Sequence, residues 1–79
     1  MFILIFEDDK TSSIMNRIKD VLEQKGIKQK WLAKQLGKSY NMVNSYAQNR
    51  RQPSIEDLYK IAEILDVEVA ILLIERKAY

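Results

Sequence analysis

The sequence predicts an all-α fold, a compact bundle of four to five helices. Three observations support this prediction. Apolar residues recur every three or four positions through the middle of the chain, glycine or asparagine follows several of these stretches, and serine precedes two of them. Glycine and asparagine tolerate the left-handed backbone in which helices commonly end, and serine caps the free N–H groups of a first turn. With 79 residues, the chain can form one modest core.

The first helix is predicted to begin at Ile14 and to end at Gly26. Its apolar stripe has the i, i+4, i+7, i+8 spacing of a helix face and consists of Ile14, Ile18, Val21 and Leu22. Three hydroxyl side chains before it supply N-caps, namely Thr11, Ser12 and Ser13. The second helix is predicted over Gln29–Leu36 and is ended by Gly37. Its inward residues are Leu32, Ala33 and Leu36.

The third helix is predicted to start after Ser39, which is placed to cap it. It runs to about Gln48, and Val43 and Tyr46 are its inward positions. Asn49 is a plausible left-handed residue after this helix, because asparagine tolerates positive φ better than most residues do.

The fourth helix has the clearest amphipathic pattern in the chain. Ser54 is placed to cap it, and Asp57 follows three residues later, as in a capping box. Its inward positions repeat at helical spacing and are Ile55, Leu58, Ile61, Ala62 and Leu65.

Both ends of the chain are apolar and lack a decisive period. Residues 2–6 are β-prone, and we expect a short N-terminal strand that pairs with the C-terminal segment, within the chain or across a dimer. Residues 67–74 suit a buried strand, a short helix, or one followed by the other. Met15 is an alternative natural start, which would place the first fourteen residues outside the natural protein.

Composition excludes several classes of function. The chain has no cysteine and no histidine, so disulfides, thiolate catalysis and cysteine-rich zinc sites are excluded, and the usual general base is missing. We therefore expect no enzyme, no metal and no cofactor. The N-terminal apolar run of five residues is too short for a signal peptide or for a membrane span of about 20 residues. We expect a soluble cytoplasmic protein.

The formal net charge of +2 conceals a basic block in the middle of the chain. Residues 15–53 contain nine lysines and arginines against two acids, a net charge of +7, whereas residues 1–14 carry −2 and residues 54–79 carry −3. Such asymmetry is typical of proteins that bind a phosphate backbone. A solvated lysine-rich face is the plainer alternative.

The basic block contains two predicted helices joined by a short turn at Gly37, the arrangement of a helix-turn-helix. Ala33 suits the crossing point, because a larger side chain would separate the helices. Here the sequence resembles the lambdoid phage repressor and Xre-type family of DNA-binding proteins. The matching pattern over about residues 15–73 is Gln29-x-x-Leu32-Ala33-x-x-Leu36-Gly37-x-Ser39-x-x-x-Val43, then Asn49-Arg50-Arg51-Gln52-Pro53-Ser54 and Leu58-x-x-Ile61-Ala62-x-x-Leu65.

We predict that residues 1–13 form an apolar extension and that residues 14–79 form the DNA-binding domain with an apolar C-terminal segment. The resemblance implies a five-helix bundle whose third helix lies in the major groove. Near the base edges it places Ser39, Tyr40, Asn41 and Ser45, with Asn44 beside them. The helical phase agrees, because the inward positions of this helix leave these residues and Gln48 toward solvent. Asparagine pairs well with adenine, and the lack of arginine at these positions favours A·T-containing half-sites. The plainer alternative for Tyr40 is that it covers the hydrophobic seam.

Phosphate contacts form a second predicted class, which sets register and not base preference. Its members are Gln29, by its place in the family motif, and the residues flanking the third helix, Lys38, Gln48, Arg50 and Arg51. The alternative for Arg50 and Arg51 is an interaction with the C-terminal dipole of the third helix alone. Lys28, Lys30 and Lys34 add to the positive field, and Trp31 is expected in the core or at a dimer contact.

The resemblance implies a dimeric transcription regulator, a repressor that binds double-stranded DNA over a palindromic operator. The apolar ends, residues 2–6 and 69–74, are its expected homodimer surface. One alternative is an antitoxin whose ends bind a toxin, and another is a protein-interaction module without DNA affinity. The chain departs from the family at three positions. Asn49 stands where glycine is usual, Asn44 replaces a common serine, and Ala47 replaces a glutamate whose loss removes a hydrogen bond to the following loop.

Overall fold

The computed structural model describes residues 15–73 and shows an all-α bundle, which confirms the predicted fold class. Its four α-helices and one 3₁₀ helix are α1 (Ile18–Lys25), α2 (Gln29–Leu36), α3 (Tyr40–Ala47), α4 (Ile55–Leu65) and the 3₁₀ helix (Val69–Leu72). The strand predicted over residues 2–6, the caps at residues 11–13 and the apolar position Ile14 lie outside the described residues.

The predicted start of the first helix is wrong, because α1 begins at Ile18 and not at residue 14. Asn16 explains the later start. Its Oδ1 accepts a hydrogen bond from the backbone N–H of Ile18 at 3.0 Å, which closes an Asx turn ahead of the helix. The backbone N–H groups of Met15 and Asn16 both donate to Asn49 Oδ1, so this stretch is held by the loop after α3. The predicted end is confirmed, since Gly26 has a left-handed φ of 68°.

The core lies where the helices meet, and every α-helix contributes to it. The largest fully buried side chains are Ile18, Val21, Leu32, Val43, Ile61, Leu65 and Leu72. Burial of a side chain of this size stabilises the fold by about 1.5–3 kcal/mol. Leu72 belongs to the 3₁₀ helix, so the segment after α4 closes the bundle.

α4 begins as predicted, with Ser54 Oγ accepting from the backbone N–H of Asp57 at 3.1 Å. The expectation that Ile55 faces inward is wrong, because 73% of this residue is exposed. Successive residues of an α-helix are rotated by about 100°, which places Ile55 roughly 70° from the centre of the stripe formed by the buried residues Ile61, Ala62 and Leu65. Ile55 also lies on the first turn of the helix, away from the core. The carboxylate of Asp57 forms an ion pair with Lys38 Nζ at 3.4 Å, linking α4 to the turn before α3.

The segment after α4 resolves an alternative that the sequence left open. It forms a short 3₁₀ helix, and Leu73 then makes a single antiparallel bridge with Asn16. The backbone N–H of Arg17 donates to Leu72 O at 2.8 Å, which strengthens the same junction. The segment therefore pairs with the residues just before α1. Within residues 15–73, no helix has the length and apolar character needed to cross a membrane.

Candidate nucleic-acid interface

α2, a three-residue turn and α3 form a helix-turn-helix, as predicted. Gly37 ends α2 with a left-handed φ of 74°, and the backbone N–H of Lys38 donates to Ala33 O at 3.0 Å. Ser39 then begins α3 from an extended backbone, and its Oγ accepts from the N–H of Met42 at 3.1 Å. These local hydrogen bonds fix the direction in which α3 leaves the turn.

α3 presents a polar outer face and buries the opposite one. Val43 and Tyr46 are buried, which confirms the inward positions predicted for this helix, and Ala47 is buried beside them. The side chains assigned to base contacts lie on the other side, where Ser39, Tyr40 and Asn41 are exposed and Asn44 and Ser45 are half-buried. Their contact with bases stays a prediction.

Tyr40 lies beside the start of α2. It is 48% exposed, and it lines a shallow open hollow together with Gln29, Lys28 and Lys30. The first turns of α2 and α3 therefore face a common space. Its charged lining consists of three lysines, Lys19, Lys28 and Lys30, and one carboxylate, Glu23. Because three ammonium groups face one carboxylate, this space is net positive, which favours an anion beside the N-terminus of α2.

Three of the assigned side chains are joined by hydrogen bonds. Asn44 Nδ2 donates to Gln29 Oε1 at 2.9 Å, and Arg50 Nη2 donates to Asn44 Oδ1 at 2.9 Å. The network therefore runs from the start of α2, across the middle of α3, to the loop that follows α3. Two of its members were assigned to phosphate and the central one to bases.

The loop after α3 folds back onto the helix that it leaves. The backbone N–H groups of Arg50 and Arg51 both donate to Ser45 O, at 2.9 and 3.3 Å. The Arg51 side chain reaches Met42, with Nη1 3.5 Å from Sδ. Both arginines thus lie along α3. Gln48 ends α3 and is exposed, whereas Lys38 is in the ion pair with Asp57.

Asn16 is an important residue that sequence reasoning missed. It is buried, and its Nδ2 donates to Tyr46 O at 3.0 Å and to Gln52 Oε1 at 2.8 Å. The loop after α3 is therefore anchored although Ala47 stands where the family usually has glutamate. A signal was present, since asparagine two residues before a buried Ile18 is a good helix-start residue, but its partners lie thirty or more positions away.

The described residues contain no arrangement suited to metal binding. Within residues 15–73 no three carboxylate side chains lie close enough together to hold a metal ion. Every buried side-chain nitrogen and oxygen in that part of the chain has a hydrogen-bond partner. Within residues 15–73, the polar side-chain atoms available to a ligand therefore lie at the surface.

Comparison with known proteins agrees with this geometry. A family model described as helix-turn-helix matches residues 18–72, from the first residue of α1 to the last of the 3₁₀ helix. The chain is similar to the crystal structure of a candidate DNA-binding protein from Bacteroides fragilis, with 44% identity and a TM-score of 0.73. The match covers 76% of this chain and 98% of the other. No curated protein matches the chain.

Proposed function

Because the chain belongs to the Xre-type helix-turn-helix family, we propose that it is a transcriptional regulator that binds double-stranded DNA in a sequence-specific manner. The observation that carries the proposal is the polar outer face of α3, which follows a well-formed turn and is flanked by Gln29 and Arg50. The similar protein from Bacteroides fragilis, described as a candidate DNA-binding protein, supports the same assignment.

In the proposed complex, α3 lies in the major groove and its exposed residues read the bases. Tyr40 and Asn41 have the most accessible side chains on its first turn. An asparagine amide can donate to and accept from adenine at once, and an aromatic edge can pack on a thymine methyl group. Ser39 and Ser45 supply hydroxyl groups at the two ends of this face. A·T-containing half-sites are therefore the preferred target.

Phosphate contacts would hold the helix in that register. The proposed contacts are made by Gln29, Lys38, Gln48, Arg50 and Arg51, which come from the start of α2 and from the two segments that flank α3. The net charge of +7 on residues 15–53 supports their role, because basic groups along a phosphate backbone release bound counterions. Lys38 would exchange its ion pair with Asp57 for a phosphate.

We further propose that the protein acts in the cytoplasm as a homodimeric repressor. Two copies of α3 would then lie one helical turn apart, about 34 Å, over a palindromic operator. The exposed apolar residues Met15, Ile71 and Leu73 support a dimer surface, because the bridge between Asn16 and Leu73 brings the two chain segments that carry them together.

The test is selection of bound duplexes from a random pool, followed by fluorescence anisotropy at 50 and 200 mM salt. We expect enrichment of a two-fold symmetric motif and an affinity that falls steeply with salt. A random duplex of equal length serves as the control. Equal affinity for the selected and random duplexes would contradict sequence-specific regulation.

An antitoxin is the second candidate function, and the same exposed apolar residues near the chain ends favour it. In that case a toxin covers Ile71 and Leu73, and the antitoxin still represses its own operon by binding DNA through α3. Co-purification of a small partner encoded by the adjacent gene would support the antitoxin. Purification of the chain alone as a symmetric dimer, with no toxin gene beside its own, supports the repressor. DNA binding that is unchanged by charge reversal of Arg50 and Arg51 would argue against the phosphate contacts proposed for these two residues.

A further inference from the structure

The hydrogen bonds among Gln29, Asn44 and Arg50 have a fixed direction, and we infer from it that Asn44 positions two phosphate-binding side chains and does not read a base. The inference rests on the proposed function, since it concerns how this interface holds the DNA backbone. It reassigns Asn44, the one residue on the outer face of α3 whose side-chain amide, within residues 15–73, makes hydrogen bonds through both its nitrogen and its oxygen.

The direction follows from the chemistry of the guanidinium group. Arginine has only N–H donors, so the Asn44 atom that faces Arg50 must be the carbonyl oxygen. The amide nitrogen of Asn44 then faces Gln29 and donates to it. The atom of Gln29 that faces Asn44 must therefore be its acceptor, Oε1. One charged residue thus sets the orientation of two neutral amides, which by themselves could point either way.

As a consequence, Gln29 and Arg50, at the two ends of the network, both present N–H donors to a ligand. The Oε1 of Gln29 is occupied, so its Nε2 group is the part left for a ligand, and Arg50 keeps further guanidinium N–H groups. Donor groups match the unprotonated oxygens of phosphate, and a fixed donor orientation lowers the entropy lost on binding. The hollow beside Gln29 is lined by Lys19, Lys28 and Lys30 and by one carboxylate, Glu23, so the charge beside that end is net positive.

A base contact by Asn44 would have to compete with these bonds. Its amide is half-buried, and both of its polar atoms already have partners at 2.9 Å. Asn41, one turn earlier on α3, is exposed and has no side-chain hydrogen bond within residues 15–73, so it is free to read a base. Asn41 is therefore the matched control for Asn44 in the same helix.

The experiment compares Asn44→Ala and Asn41→Ala on the selected operator and on a panel in which each base pair is changed singly. We expect Asn44→Ala to weaken binding by about tenfold on every duplex, the size of one lost charge-assisted hydrogen bond. The base preferences should remain those of the wild-type protein. Asn41→Ala should instead lose its preference at one position of each half-site.

A double-mutant cycle with Gln29→Ala tests the connection directly. If Asn44 acts by orienting Gln29, each single substitution weakens binding and the double variant is only slightly weaker than Gln29→Ala. Thermal unfolding without DNA checks that the variants are folded. If Asn44→Ala unfolds at the assay temperature, Asn44→Asp provides the same test, since aspartate keeps a partner for Arg50 but cannot donate to Gln29.

Two results would overturn the inference while leaving the proposed function intact. One is a loss confined to a single base pair in Asn44→Ala or Asn44→Asp, which would make Asn44 a base reader. The other is strict additivity in the double-mutant cycle. A wild-type protein that shows no sequence preference at all would overturn the proposed function, and this inference with it.

Discussion

Asn49 serves the loop after α3 through both its backbone and its side chain. Its φ of 61° is left-handed, which asparagine tolerates better than most residues do. Its Oδ1 accepts hydrogen bonds from the backbone N–H groups of Met15 and Asn16 and from Gln52 Nε2, and its Nδ2 donates to Asn16 O at 3.1 Å. A residue that satisfies only the backbone requirement would therefore lose these side-chain hydrogen bonds.

We predict that Asn49→Gly destabilises the fold by about 1–3 kcal/mol, although glycine adopts positive φ freely. The loss comes from the part-buried N–H of Asn16, whose hydrogen bond to Asn49 Oδ1 glycine cannot make. Asn49→Ala should be worse than Asn49→Gly by about 1 kcal/mol, because alanine also pays for the left-handed backbone. Urea unfolding measures both values, with Asn41→Ala as the surface control. A glycine variant as stable as the wild type would show that the side-chain bonds contribute little.

At the scale of elements, the accuracy of sequence prediction depends on how local the determining contacts are. α2 and α3 lie where they were predicted, because Gly37 and Ser39 act on backbone groups within four residues of themselves. Helical periodicity alone misplaces the start of α1, because the hydrogen bonds of Asn16 to Tyr46 and Asn49 span thirty residues or more. Helical phase alone predicts which residues lie on the outer face of α3. It does not predict the hydrogen bonds of Asn44, because these depend on how α2 and the loop after α3 approach α3.

Gly37 allows a test of why the turn contains glycine, either because the backbone is left-handed there or because a side chain would not fit. A Cβ atom at Gly37 would meet nothing within 4 Å, so the only penalty for Gly37→Ala is the left-handed φ of 74°. We predict a loss of about 1–2 kcal/mol in unfolding free energy, and a smaller loss for Gly37→Asn. Gly26, with φ of 68° and equally open surroundings, is the matched control for the same substitutions. Differential scanning calorimetry can compare all four variants. A Gly37→Ala loss well above that of Gly26→Ala would point to a steric constraint in the turn.

At the scale of the whole molecule, charge is divided along the chain in a way that the total of +2 does not show. The basic residues are concentrated in residues 15–53, while the sequence from residue 54 onward is net acidic. Within the described residues, acidic side chains on α4 include Glu56, Asp57 and Glu63. Phosphate would therefore be attracted to the part of the molecule that carries α2 and α3 more strongly than to α4.

We predict that this division of charge is visible in how strongly the DNA-binding constant depends on salt concentration. The slope of log K against log salt concentration is negative, and its magnitude should fall by about 0.9 for each arginine–phosphate contact removed from B-DNA. Arg50→Ala and Arg51→Ala should each lower the slope by about that amount per protomer bound, since each removes one cation beside α3. Lys60→Ala on α4 is the control and should leave the slope nearly unchanged. Anisotropy titrations between 50 and 200 mM salt provide the values. An unchanged slope in the arginine variants would support the alternative that these side chains serve only the C-terminal end of α3.

The final prediction concerns the exposed apolar residues at the junction of Met15 with the segment after α4. Ile71 is 45% exposed and Leu73 is 43% exposed, although the neighbouring Leu72 is fully buried. If a second copy covers these side chains, a charge placed there must be buried without a partner, which costs several kcal/mol. We therefore predict that Ile71→Asp and Leu73→Asp raise the dimer dissociation constant by at least about a hundredfold.

Sedimentation equilibrium measures that constant, and circular dichroism checks the fold of each variant. Tyr59→Asp is the matched control, because Tyr59 is 59% exposed on α4, a different element from the proposed dimer surface. The monomeric variants should also bind a full palindromic operator far more weakly than the wild type, while binding to a half-site changes little. This difference arises because dimerisation makes the second half-site contact effectively intramolecular. Dimers that persist in both aspartate variants would place the homodimer surface elsewhere, and loss of half-site binding as well would indicate damage to the fold of the monomer.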